Sequence, residues 1–187
     1  MALNLSTTVR NARLDTVEST IGTSARLKIR SGTKPAACAT ADAGTVLADL
    51  TLPSDWMAGA SGGTKAKSGT WQDASADATG YAGHWRLYAS DGTTCHAQGP
   101  TGQTWAAATA YSIGHRVIND SKVYVCVTNG TSAGSGGPTG TGTNITDNTA
   151  AWDYVEDSVG VMELNNTSLA SGQQFTVNTF TLTEANA

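Results

Sequence analysis

The sequence predicts a mainly β fold: a β-sandwich or jelly-roll-like body with an N-terminal helix and a small inserted β module. Three observations predict it. Gly is abundant, 21 of 187 residues, and with Thr, Ser and Ala it divides the chain into short segments joined by turns. Most of those segments alternate apolar and polar residues with the two-residue period of a strand. One stretch, near the start, has the longer period of a helix. Disorder is excluded, because 39% of residues are hydrophobic and the net charge is only −4.

The helix spans about 5–21, its regular part running from Ser6 to Ile21. Asn4 or Ser6 can cap its start and Gly22 its end. Leu5, Val9, Leu14, Val17 and Ile21 fall near one stripe, with Arg10, Arg13, Asp15 and Glu18 mostly elsewhere. Such a helix either covers its own sheet or docks on a neighbouring subunit.

Arg26 to Arg30 alternates strictly and reads as a half-buried strand, with Leu27 and Ile29 inward. Thr45 to Leu52 repeats the pattern with Val46, Ala48, Leu50 and Leu52 inward, and Pro53 ends it. Ser31 to Ala43 between them is turn-rich. Ser54 to Lys67 has little periodicity. Trp71 starts a short strand, and Asp73 to Gly83 reads as loop. His84 to Tyr88 places Trp85 and Leu87 on one face. Asp91-Gly92 then makes a tight hairpin turn, because both central residues need positive φ, and Thr94 to Gln98 returns.

Two turn clusters, Gly99 to Gly102 and Asp157 to Gly160, bracket a segment of different character. Beyond it, Val161 to Leu164 and Phe175 to Leu182 resume the β pattern. The phase slips between Val177 and Phe180, which predicts a bulge. The organisation is therefore a structural domain of residues 1–102 plus 157–187, with residues 103–156 inserted on a loop.

Charge and composition exclude several roles. Only 14% of residues are charged, against about 25% in ordinary soluble domains. No basic stripe is available to neutralise phosphates, so no nucleic-acid partner is expected. No run approaches the ~18 apolar residues of a membrane span. Met1 to Leu5 lacks the pattern of a secretory leader. The three cysteines, Cys38, Cys95 and Cys126, lack metal-ligand spacing. Buried free thiols suit folding in a reducing cytoplasm, and a Cys38–Cys95 disulfide is the alternative.

Candidate chemistry is sparse. Asp73 and Asp77 flank Trp71 and Tyr81 in the manner of a glycosidase carboxylate pair, but Asp is also a common loop-capping residue. His84 and His96 can face each other across the hairpin as metal ligands, or sit at the surface as ordinary histidines. No nucleotide loop or nucleophile elbow is present. No catalytic residue, metal or cofactor is therefore expected.

The inserted segment reads Trp105, Tyr111, Gly114, Val117, Val123-Tyr124, Pro138, Trp152 and Val155. It resembles the small carbohydrate-binding modules of chitinases and cellulases, which also occur in phage tail and fibre proteins. It departs from them at Asp120-Ser121-Lys122, where Gly is frequent, and in the long loop Asn129 to Asn148. The resemblance implies a polysaccharide ligand stacked on aromatic rings, with Trp105, Tyr124 and Trp152 as candidates. Alternation with Val123, Val125 and Val127 puts Tyr124 on the face opposite a valine core. Trp105 and Trp152 either share that face or form the module's core. The insert can equally be a spacer.

The rest of the chain, most of residues 1–100 and 160–187, resembles small structural proteins of tailed bacteriophages. The motifs are Leu5 to Ala12, Gly44 to Leu47, Leu52 to Trp56, Ser90 to Cys95 and Leu169 to Gln174. This implies a protein of the virion exterior, assembled in the host cytoplasm. Its partners would be the major capsid protein, other virion proteins or its own copies. A capsid decoration (cement) protein is the first expectation. A tail or tail-fibre component is the second, and a free polysaccharide-binding protein or enzyme the third.

Overall fold

The computed structural model describes residues 4–184. Met1 to Leu3, read above for a leader, and residues 185–187 lie outside them. The fold is mainly β with one N-terminal helix, α1 (Thr7–Ile21). The body strands are β1 (Arg26–Ser31), β2 (Val46–Thr51), β3 (Thr64–Ala66), β4 (Gln72–Asp73), β5 (Gly80–Tyr88) and β6 (Cys95–Thr104). The inserted segment adds β7 (Ala110–Tyr111), β8 (Arg116–Asn119), β9 (Lys122–Thr128), β10 (Gly130–Thr131), β11 (Ile145–Asp147) and β12 (Ala150–Asp157). The chain then returns through β13 (Met162–Leu164), β14 (Ser168–Leu169) and β15 (Phe175–Thr183).

The alternation in β1 and β5 places their apolar residues in the core as expected. Leu27 faces Leu87 and Leu50, and Ile29 faces Trp85 and Ala48. This layer packs on β13 and β15, with Trp85 edge-on to Phe180 at 5.1 Å between ring centroids. Trp56 and Trp71 complete the aromatic centre. Each of the three indoles donates to a backbone carbonyl, Trp56 to Gly22, Trp71 to Ser68 and Trp85 to Gly160, so none is buried with an idle N–H. The bulge in β15 falls at Asn178, which lets both Val177 and Phe180 point inward.

Four local expectations change. β3 lies inside the stretch that showed no periodicity, because three residues are too few to display one; it is recruited by β15. β5 begins at Gly80, within the expected loop. Leu47 is buried beside Ala48, since β2 is covered on both sides. Gly99 to Gly102, read as a turn, is the middle of β6. This long strand pairs with β5, then in parallel with β13 at Thr101 and with β8 at Gln103. One hydrogen-bonded path thus runs β11-β12-β9-β8-β6-β13-β15-β3. Residues 103–156 nevertheless pack a core of their own around Tyr111, Val117, Tyr124 and Trp152.

The helix docks on its own chain, and its polar residues make the attachment. Ser6 caps it by accepting the Val9 N–H, and Gly22 closes it at φ 85°. Leu14 and Ile21 are buried, but Val9 is 44% exposed. Asp15 and Glu18 both grip the buried Lys65 of β3, at 2.8 and 3.1 Å. Asp15, Glu18 and Asn11 also accept the backbone N–H groups of Ala60, Met57 and Gly63. An irregular segment without a ladder needs such acceptors, and the helix supplies them.

The outer face of β1 and β5 also departs from expectation. Its residues were assigned to solvent by alternation, yet His84, Arg86 and Tyr88 are buried. Lys28 lies directly opposite Arg86, and like charges so placed repel. The turn-rich segment of residues 32–45 folds over this face and supplies the missing anion. Asp42 Oδ1 accepts from Arg86 Nη1 at 2.6 Å and from the Tyr88 hydroxyl at 2.7 Å, and Asp42 Oδ2 pairs with Arg30.

Candidate functional site

The aromatic residues of the insert are positioned by β8, β9 and β12. Register places Tyr124 opposite Val117 and Tyr154, and Trp152 opposite Cys126. These side chains share one face, and that face is the module's core. Tyr124 and Trp152 are both 0% exposed. The face opposite a valine core, expected for Tyr124, is therefore reversed: Tyr124 and Cys126 point inward, while Val125 and Val127 are half-buried. Both faces of β9 carry apolar residues, so alternation alone did not choose between them.

Trp105 is half-buried, and its role is tied to Trp152. Both indoles donate to Asp147 Oδ2, at 2.8 and 3.0 Å, and Asp147 Oδ1 accepts the Ala133 N–H. The buried carboxylate fastens the module's two tryptophans to its long loop. That loop also reaches Tyr124 and one side of Trp105. Tyr124 donates its hydroxyl to Gly140 O at 2.9 Å. Gly137, at φ 70°, lies where a Cβ would come within 3.0 Å of the Trp105 ring. The three-ring stacking platform expected of Trp105, Tyr124 and Trp152 is thus not formed, because two of the rings are the core and the third has one face against the loop.

The Tyr-x-x-Gly-x-x-Val motif has a structural explanation as well. Tyr111 stacks edge-on to Trp152 at 4.9 Å and Val117 is buried. Gly114, at φ 100°, admits Tyr81 of β5 so closely that a Cβ would sit 2.6 Å from its ring. His115 bridges the two units, with its ring 5.0 Å from Tyr81 and 5.7 Å from Tyr111. The motif therefore builds the module and seats it on the body.

No family model, curated protein or solved structure matches this chain.

Two surface features remain as candidates. A groove of about 700 Å³ lies where module meets body, lined by Lys122, Asp157, Val161, Thr179, Thr181 and Thr183. Val159 stands beside it, 83% exposed. The threonines are the outward residues of β15, legible as alternation, but their neighbours across the groove were not. The second feature is a cavity of about 340 Å³ under residues 38–42, lined by Cys38, Asp42, Arg86 and Cys95. Arg86 spans it, donating to Cys38 O at 2.6 Å and to Cys95 Sγ at 3.2 Å. Cys38 and Cys95 are half-buried, Cys126 is buried, and all three are free thiols.

Of the other sequence candidates the histidines are apart, whereas Asp73 and Asp77 are near enough to interact: burial first, and then the charges of Asp73 and Asp49, raise the Asp77 carboxyl above its ordinary range, with Arg26 opposing. His84 lies opposite Pro100, and His96 is exposed near the start of β6. Asp73 Oδ1 accepts the Ser75 N–H, an ordinary turn contact. Among the described residues no group of His, Cys, Asp and Glu is placed to hold a metal ion.

His84 instead has a consequence for stability. It is fully buried, its Nε2 has no partner, and Nδ1 reaches only Gly32 O at 3.4 Å. Burial pushes its pKa from 6.5 down to about 4, Arg30, Arg116 and Arg86 adding to the fall and the Gly32 carbonyl opposing it. Between those values the unfolded chain binds a proton that the folded chain does not. Stability is therefore expected to fall as pH drops from 6.5 towards 4, by up to about 3 kcal/mol. Urea midpoints measured across that range should slope downward on acidification, and the slope should flatten in His84→Gln. An equal slope in both proteins would remove His84 as the cause.

Proposed function

We propose that this chain is a structural protein of a tailed-bacteriophage virion, and specifically a capsid decoration protein that holds the shell and displays the module of residues 103–156. The observation that carries the reading is the set of phage-like motifs in residues 1–100 and 160–187. They contribute the helix, the entry to β2, the Trp56 anchor and the hairpin turn before β6. The layout supports it. Along the sheet path the module strands lie at one end and β3, with the helix docked on it, at the other. A subunit so arranged can attach through one end and present the other.

The module adds folded surface to the particle. Its tryptophans and Tyr124 serve its own core, so glycan contact would rest on the open side of Trp105. Repetition over a lattice would strengthen even a weak contact of that kind.

Quantitative mass spectrometry of purified, DNA-filled particles tests the proposal by counting this chain against the major capsid protein. A ratio near one, or a simple fraction of it, is expected. A few copies per particle would move the chain to the tail or its fibres. Absence from the particle would overturn the structural reading.

A further inference from the structure

Cys38 lies in the segment that covers the outer face of β1 and β5, and Cys95 is the first residue of β6. The fold brings them to one solvent-open cavity and fastens both to one side chain. Arg86 Nη2 holds the Cys38 carbonyl, and Arg86 Nε donates to the Cys95 sulfur. Both residues line this cavity. Both are half-buried, so a small oxidant can reach them, whereas Cys126 is buried with its thiol bonded to Thr128 O.

We propose that Cys38 and Cys95 are a redox pair, which a small-molecule disulfide oxidises to an intramolecular disulfide joining residues 32–45 to β6. Cys95 is the attacking sulfur, because Arg86 Nε points at it from 3.2 Å and orients it in the open cavity. Its thiolate displaces one thiolate from the oxidant and forms a mixed disulfide. The Cys38 thiol then loses its proton and attacks the Cys95 sulfur, releasing the second small thiolate. Two protein thiols are oxidised to one disulfide, and one small disulfide is reduced to two thiols. Burial and the neighbouring Cys95 hold the Cys38 thiol up at about 11, which suits a sulfur that acts second. The chain would fold with free thiols in a reducing compartment and gain a covalent tie on release from it.

The test uses the full native chain and oxidised glutathione. After quenching and alkylation, the folded protein is expected to have lost both thiol hydrogens, with peptide mapping joining Cys38 to Cys95. Cys126 should be alkylated only after denaturation. The oxidised protein should melt roughly 10 °C higher, reversibly on reduction. Cys38→Ser should trap glutathione on Cys95, and Cys95→Ser should leave Cys38 unmodified. Glutathione adducts on the native chain without a Cys38–Cys95 link, a link to Cys126, or reaction only after denaturation would overturn the proposal.

Discussion

Replacing Asp42 with alanine is expected to lower the unfolding free energy by about 2–4 kcal/mol, below the full cost of breaking a buried pair, because the arginines are buried but the Asp42 side chain is itself 36% exposed and partly screened by water. The size follows from what Asp42 faces. Arg86 is 1% exposed and Arg30 7% exposed, and both direct guanidinium donors at this carboxylate, as does the Tyr88 hydroxyl. Burial favours the protonated acid, but the Tyr88 hydroxyl bond and the charges of Arg30, Arg86 and Lys28 outweigh it, so the carboxyl stays below its ordinary range. Without the carboxylate, two arginines lie under cover with Lys28 beside them and no counter-charge. Asp42→Asn should lose less, because an amide oxygen still accepts a hydrogen bond. Urea unfolding should show an earlier midpoint with an unchanged slope. A loss below about 1 kcal/mol would instead fit a solvated surface pair.

Trp152→Ala is expected to cost a similar amount, about 3–5 kcal/mol for a fully buried tryptophan. The ring fills the module's core against Tyr111, and its N–H is one of the two indole donors to Asp147 Oδ2. Truncation therefore leaves a cavity and a buried carboxylate short of a donor. Trp105→Ala should cost less, since that ring is only half-buried. A stacking residue would behave in the opposite way: thermal unfolding would be unchanged, and retention on insoluble chitin or cellulose would be lost. Unaltered stability in Trp152→Ala would overturn its assignment to the core.

These two positions also mark how far the chain could be read unaided. Alternation in Arg26 to Arg30 and His84 to Tyr88 identified the inner core residues, because inner and outer positions differ sharply in polarity there. The Ser6 and Gly22 caps, the place of the Asp91-Gly92 turn and the bulge before Phe180 were legible because each follows from the conformational preference of a few adjacent residues. The turn is nevertheless wider than the tight one expected, with Gly92 but not Asp91 at positive φ and residues 89–94 joining β5 to β6. The same alternation described the outer face of β1 and β5 as solvent-facing, since a charged face looks alike whether water or another segment covers it. Asp42 is 44 residues from Arg86, and nothing local to either reveals the pairing.

The module shows the same division. The spacing of Trp105, Tyr111, Gly114, Val117, Tyr124 and Trp152 marked residues 103–156 as a unit, but spacing is silent on which side of a sheet its own loop will cover. With Val123, Val125 and Val127 on one face of β9 and Tyr124 and Cys126 on the other, both faces were apolar enough to be core. The loop from Asn129 to Asn148 settled the matter by reaching Tyr124 and Trp105 on the aromatic side. By itself, then, the sequence determined a mainly β chain with one capped helix, an inner apolar face and an aromatic insert, all of them consequences of neighbours along the chain. Only the tertiary structure decided which faces are sealed, which carboxylate neutralises the buried arginines, and that Cys38 and Cys95 meet, because each of these depends on segments brought together by long-range pairing.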